Sequence, residues 1–533
     1  MNATVVGDES WPMVARCDNG PVAMISFTLN GAPFTTDADG SLLSVLRDSA
    51  GLTAAKDGCA PQGQCGCCTV WVDGEPRVSC VTPATRVNGR SVTTLEGLDD
   101  DVRRAWGDAL CATGGSQCGF CSPGIIMRLE ATVEDDHESF VKAMLAHTCR
   151  CTGWQTIEEA VAVRRGARVI DADRDLDLAR ERAAIEGAAH QDVGTRVALG
   201  AGGFADDTAP RDALVALRAL DGTWHVADDL ATARRAAGTV QGRKSTVAVD
   251  WPLPIIDGEW ARTLCTTWVE PAYVEPDAAW CEPGGQAHGP LNNGGAFGGK
   301  TGSELGDVAR RLADENGRAV RVLLTREDVV RSGPKRPPMS LAVRADGSGV
   351  MHAVRTPGLV EAVASFAPDW TVIEHDVVGP RTSMNLRGAG WAEICVMRSS
   401  VREVDEWGDH VVAPNGAEAW AMFDDDVDDV VKVRVNAGRI LDHVVLRSYA
   451  IGAAHMALGW VRSEGVALGA DGVPLDLTIR SFGVLRAVDT PRIEVTIVDD
   501  DRDPVNGSDA VFAAVAAAAW RHAGHPSHWP VSH

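Results

Sequence analysis

Gln117-Cys118-Gly119-Phe120-Cys121-Ser122-Pro123-Gly124 and, further along, Thr148-Cys149-Arg150-Cys151-Thr152-Gly153-Trp154 hold four cysteines as two tight pairs. Thiolates at such short spacing are ligands for a soft metal centre, which makes Cys118, Cys121, Cys149 and Cys151 one candidate set. The residues around them read as helices. DDVRRAWGDALCAT, PGIIMRLEATVEDD, ESFVKAMLAHT and TIEEAVAVRRGARVI carry apolar residues at helical spacing behind acidic starts.

Upstream lies a second quartet, Cys59, Cys65, Cys68 and Cys80. Three of its cysteines crowd one glycine-rich loop, and the fourth follows the strand-like segment TVWVDG, close to the C-x4-C-x2-C…C pattern of a plant-type 2Fe-2S ferredoxin. Five residues, not four, separate Cys59 from Cys65, and Cys67 is a spare thiol beside Cys68. Cys68 keeps the x2 step. A zinc ribbon or buried free thiols is the competing reading, although zinc ribbons present two knuckles of similar spacing. Around this loop, VAMISFTLNGAPFTT alternates across an Asn30-Gly31 turn, SLLSVLRDS reads as a short helix, and TVWVDGEPRVSC predicts a hairpin across Asp73-Gly74. Residues 21–98 thus follow the order strand, strand, helix, loop, strand.

QCGFCSPG followed by CRCTGW closely resembles the iron-sulfur part of the xanthine dehydrogenase and aldehyde oxidase family, the molybdenum hydroxylases. The resemblance implies an α+β chain. A β-grasp ferredoxin-like domain at 21–98 would hold the solvent-side 2Fe-2S cluster, and a helical 2Fe-2S bundle at 99–170 the molybdenum-side cluster. A charged, Ala-rich segment at 171–195 is expected as an exposed helix and linker, and a shortened α+β molybdopterin-binding region at 196–533 completes the chain. Gln117 matches the family residue that touches the pterin; its other reading is a helix-cap glutamine.

In the second half, Asn292-Asn293-Gly294-Gly295-Ala296-Phe297-Gly298-Gly299-Lys300 resembles the family's GGGFGGK loop, which makes Gly295, Ala296, Phe297, Gly298 and Gly299 candidate contacts to a molybdenum-molybdopterin cofactor, the cytosine dinucleotide form included. GGFADDTAP at 202–210 resembles the opening motif of the family's large subunit. LRGAGWAE at 386–393 resembles its Arg-Gly-x-Gly loop, with Arg387 as a cation for developing negative charge; a surface salt bridge is its other reading. The small residues Gly452, Ala453 and Ala454 are of the kind that lets a cofactor phosphate approach the backbone, and His455 reads as a packed helix residue.

Departures from the family bear on chemistry. Its C-terminal Gly-Glu base is missing; the stretch around Ser508 offers Asp509 one residue later, as a shifted base or as a helix N-terminal residue. Thr301 stands where xanthine enzymes carry a substrate-binding Glu, and the Cys-Ser-Phe-Arg loop of the carbon monoxide dehydrogenase branch is absent. Residues 191–533 are about half of the family's molybdenum subunit, and no FAD-binding domain lies between the halves. Any flavin acceptor then belongs to a separate FAD-binding subunit.

The chain has 533 residues, 74 acidic against 50 basic, for a net charge of −24 that disfavours nucleic acid and anionic membrane surfaces. VFAAVAAAAW at 511–520 is too short to span a bilayer and reads as a buried helix. The N-terminus lacks a basic start and an apolar core, so a reducing cytoplasm is the expected setting. The leading expectation is an oxidoreductase that oxidises a small aldehyde or N-heteroaromatic substrate at a molybdopterin centre and passes electrons through two 2Fe-2S clusters to an external acceptor, with a homo-oligomer implied. The alternative is an iron-sulfur electron-transfer protein whose molybdopterin region no longer turns over.

Overall fold

The computed structural model describes residues 24–37, 40–132, 136–168, 174–238, 242, 248–290, 294–296, 298–424, 426–427 and 429–531. The first unit is a mixed five-stranded sheet in the order Ala32–Thr36, Ile25–Leu29, Ser91–Thr93, Thr69–Val72, Glu75–Val78. Both predicted hairpins form: Leu29 pairs with Ala32 and Val72 with Glu75. Their turns place Asn30-Gly31 and Asp73-Gly74 at positive φ, the geometry that matches strand twist. The parallel pairing in this sheet, Ile25–Leu29 with Ser91–Thr93, needs a crossover. That crossover carries the short helix Leu42–Ser44, capped by the Ser41 side chain, and the cysteine loop.

Helices Asp100–Thr113, Ser122–Glu130, His137–Met144 and Gln155–Arg164 follow, at the predicted places and shorter at three C-termini. Sheet and helices share one apolar core, from Phe27, Leu42 and Val70 to Ile126, Met144 and Ile157. The Trp71 indole N–H donates to the Met127 carbonyl across the seam at 2.7 Å.

Beyond residue 195 the described residues form three four-stranded sheets. The last of them, Asp409–Val412, Glu418–Phe423, Val430–Asn436, Arg492–Val498, packs against the helices His443–Arg462 and Ser508–His522. Both helices are apolar on nearly every face and therefore buried. The first is long and apolar enough by composition to cross a membrane, yet 89% of its apolar window is buried inside the protein.

The segment expected to be an exposed linker is instead docked. Its helix Leu176–Gly187 places Ala179 and Ala183 on one face, and this flat, small surface packs on Val445 and Tyr449. Bulky anchors, whose absence suggested exposure, are not required for so close an approach. Arg182 and Glu186 are buried as an ion pair, and the Glu186 carboxylate accepts from the Gly507 and Ser508 N–H groups at 3.1 and 2.9 Å. A negative charge there complements the N-terminus of the last helix.

Candidate functional site

The thiols of the second quartet meet in pairs. Cys118 and Cys151 stand 3.6 Å apart, sulfur to sulfur, and Cys121 shares a hydrogen bond with Cys149. That bond pulls the Cys149 thiol down to about 6, while Cys121 is pushed up by the same contact and by burial. The helix Ser122–Glu130, with Pro123 in its first turn, fixes the Cys121 end, and the loop before Gln155–Arg164 carries the other two.

In the first quartet the thiol contacts run in a chain, Cys65 to Cys59 to Cys80 to Cys68. Cys59 is held low by hydrogen bonds from Cys65 and Cys80, and Cys80 is raised by its contacts with Cys59 and Cys68. Backbone N–H groups point at sulfur: Gln62 and Gln64 donate to Cys59 at 3.2 and 3.4 Å, and Cys80 donates to Cys68 at 3.4 Å. Such donors stabilise anionic sulfur. Cys67 is close by as well: its thiol shares a hydrogen bond with the Cys65 thiol, lies 3.8 Å from the Cys65 carbonyl and is pushed up by burial, but it makes no such contact with Cys80. Pairing with Cys80 thus favours Cys68 over Cys67 as the fourth donor.

Among the described residues no three His, Cys, Asp or Glu side chains converge as a mononuclear ion requires. The second quartet, gathered two and two, fits a binuclear iron centre. The two quartets are also joined directly: the Thr148 N–H, one residue from Cys149, donates to the Cys65 carbonyl at 3.0 Å. Beside this bridge His147 is buried, with Nε2 at 3.3 Å from both Thr69 Oγ1 and the Gly124 carbonyl, and burial drives its pKa down to about 4.

The molybdopterin candidates are placed differently. Gln117 donates from Nε2 to the Cys151 carbonyl at 2.9 Å and to Ser448 Oγ at 3.0 Å, so it is a tie between chain segments and not a helix cap. Gly295, Ala296, Gly298 and Gly299 lie in a turn against the Arg387 loop; a Cβ on Gly298 would stand 2.1 Å from the Asn385 carbonyl. Phe297 is outside the described residues. Arg387 donates to Asp509 at 2.8 Å and to Ser508 Oγ at 3.1 Å. The Asp509 carboxyl is raised by burial, with Arg387 opposing.

Other charges around Arg387 are ion-paired, although oxygens of Glu270 and Glu275 and Nη2 of Arg336 remain buried without a hydrogen bond. Arg336 pairs with Glu393 at 2.9 Å and lies 4.2 Å over the Trp460 ring; Lys335 pairs with Glu270 at 2.8 Å, and Lys300 with Glu275 at 2.5 Å. The cavity at Arg387, lined also by Met456, Trp460 and Phe512, holds about 30 Å³. Cofactor sites run to roughly 300–1,000 Å³. Gln117 touches Ser448 and Arg387 touches Met456, about 12 Å apart along the same helix. Between them Gly452 rests on the Cys151 carbonyl, where a Cβ would come within 1.9 Å. Gly452 thus admits the chain's own backbone. A molybdopterin reaching from Gln117 to Arg387 does not fit these residues.

An open groove of about 240 Å³, lined by Gln117, Cys118, Gln191, Arg196, Gly203 and Phe204, does reach the second quartet, and Cys118 is partly exposed there. Sequence reasoning missed Thr148, Arg150 and Glu464. Arg150, between two of the cysteines, makes a bidentate pair with Glu464 at 2.6 and 2.6 Å, and only its place inside the motif hinted at a role.

Residues 94–162 match the 2Fe-2S binding domain family. The chain is 36% identical over 152 residues to the nicotinate dehydrogenase small FeS subunit of Eubacterium barkeri, covering 27% of this chain and 96% of that protein. It is 37% identical over 145 residues to the xanthine dehydrogenase iron-sulfur-binding subunit of Escherichia coli O157:H7, covering 26% of this chain and 91% of that one. The fold is similar to that of the aldehyde oxidoreductase from Desulfovibrio gigas, at TM-score 0.65 and 15% identity, over 93% of this chain and 97% of that chain.

Proposed function

Because the chain belongs to the xanthine dehydrogenase and aldehyde oxidase family of molybdenum hydroxylases, we propose that it is the electron-transfer chain of such an oxidoreductase, holding two 2Fe-2S clusters. Cys118, Cys121, Cys149 and Cys151 are the donors for one, and Cys59, Cys65, Cys68 and Cys80 for the other. Such clusters, when bound, supply one-electron transfer. The observation that carries the reading is the hydrogen bond from Thr148 N–H to the Cys65 carbonyl, which links a ligand loop of each quartet through one short polar contact.

Each quartet has its own opening. The groove at Gln117 and Cys118 supports entry of electrons at the second quartet. At the first, Val81 is 55% exposed beside Cys80, an edge an acceptor such as a separate flavoprotein subunit can approach. The substrate of the assembly is, on the family resemblance, an aldehyde or N-heteroaromatic. Its oxidation then belongs to a centre on another chain, a reading supported by the Arg387–Asp509 pair and the cavity of about 30 Å³ that the described residues leave there. Asp509 is accordingly a helix N-terminal partner for Arg387 and not a base.

EPR of the dithionite-reduced chain tests the proposal. Two distinguishable 2Fe-2S signals are expected, both reoxidised by a dye acceptor. A single signal, or none with iron supplied, contradicts it.

A further inference from the structure

The described residues of the C-terminal half leave little space at Arg387, and they are built closely around one cluster site. Along the helix His443–Arg462, Ser448, Gly452, His455 and Gly459 recur at helical spacing on one face. Ser448 Oγ donates to the Gly114 carbonyl and receives Gln117, and Gly452 lies on the Cys151 carbonyl. His455 Nε2 and the Trp154 indole nitrogen both reach the Leu485 carbonyl, at 3.1 and 3.3 Å. Beyond the helix C-terminus stands Glu464, whose N–H bonds to the Gly459 carbonyl at 2.8 Å. Glu464 is nearly fully buried, as is Arg150, whose Nε also donates to the Pro271 carbonyl at 3.1 Å.

We propose that Arg150 and Glu464 are positioning residues for the second cluster, fixing the Cys149-Arg150-Cys151 ligand loop and offsetting the charge of a buried cation between two of its ligands. A buried charge left without its partner acts strongly on its surroundings, because little water screens it. Reduction adds negative charge to a cluster. Removing the Glu464 carboxylate leaves Arg150 positive and favours the reduced form; removing the guanidinium leaves Glu464 negative and disfavours it.

This inference rests on the reading of the quartets as 2Fe-2S sites, and the test separates the two. Redox titration followed by EPR is carried out on the full chain and on E464Q, R150Q and the E464Q/R150Q double variant. In the unsubstituted chain, two signals sustain the cluster reading by themselves. The midpoint of one signal should then rise in E464Q, fall in R150Q and return toward its original value in the double variant, while the other signal stays in place. If a single variant cannot retain the second cluster, half of the iron and that one signal should be lost, and the double variant should restore both. Two signals with midpoints unmoved in both single variants overturn the proposal, as do shifts of the same sign or shifts shared by both clusters.

Discussion

The two thiol quartets and the Arg387 region both gather reactive side chains inside the protein, and they satisfy them in opposite ways. The cysteines find little besides one another and a few backbone N–H groups, so their donor capacity faces inward and remains available. Around Arg387, by contrast, Asp509, Glu393, Glu270 and Glu275 meet the cations one by one, and the packing leaves about 30 Å³. Oxygens of Glu270 and Glu275 and Nη2 of Arg336 stay buried there without a hydrogen bond, so what separates the two regions is the space left at Arg387 and not complete pairing.

The largest expected effect that sharpens this contrast is at the thiols. Cys149→Ser should abolish one of the two EPR signals and leave the other, together with about half of the iron; loss of neither would refute the ligand assignment. Next is Gly452→Ala, whose added methyl meets the Cys151 carbonyl at 1.9 Å. Overpacking of this kind costs about 1–3 kcal/mol, and the signal assigned to the second quartet should weaken while the other stays. Denaturant titration with EPR on the same samples checks both.

Asp509→Asn should cost about 1–2 kcal/mol in denaturant unfolding by leaving Arg387 buried without its carboxylate, discounted because Asp509 is partly exposed. Both EPR signals should survive it, since the pair belongs to the core. Smaller still is a pH effect from His455, which burial drives down to about 3 from an ordinary 6.5. Below pH 6.5 the unfolded chain takes up a proton that the folded chain refuses, so stability falls as pH falls toward 3. Between pH 6.5 and 5.5 the loss is about 1 kcal/mol, and His455→Gln should flatten the stability curve by up to one proton over that interval.

How much was legible follows from distance along the chain. The hairpins at Asn30-Gly31 and Asp73-Gly74, the four helices of residues 100–164 and both cysteine sets are local patterns, and local geometry decides them. The Arg150–Glu464 pair joins residues 314 positions apart, and no spacing rule reaches that far. The 171–195 segment misled for a related reason: small Ala residues signal exposure only until a matching flat helix face is known, and that face lies at Val445 and Tyr449. The Arg387 loop looked like the family's cofactor contact because its glycines and arginine are in place. What meets it, Asp509 at a helix start, is remote in sequence.

Metal analysis of the full chain, purified from cells that make the molybdenum cofactor, bears most directly on the central claim. The account predicts about four iron per chain, two for each 2Fe-2S cluster, with molybdenum near zero. One molybdenum per chain would contradict it and return the chemistry to Arg387.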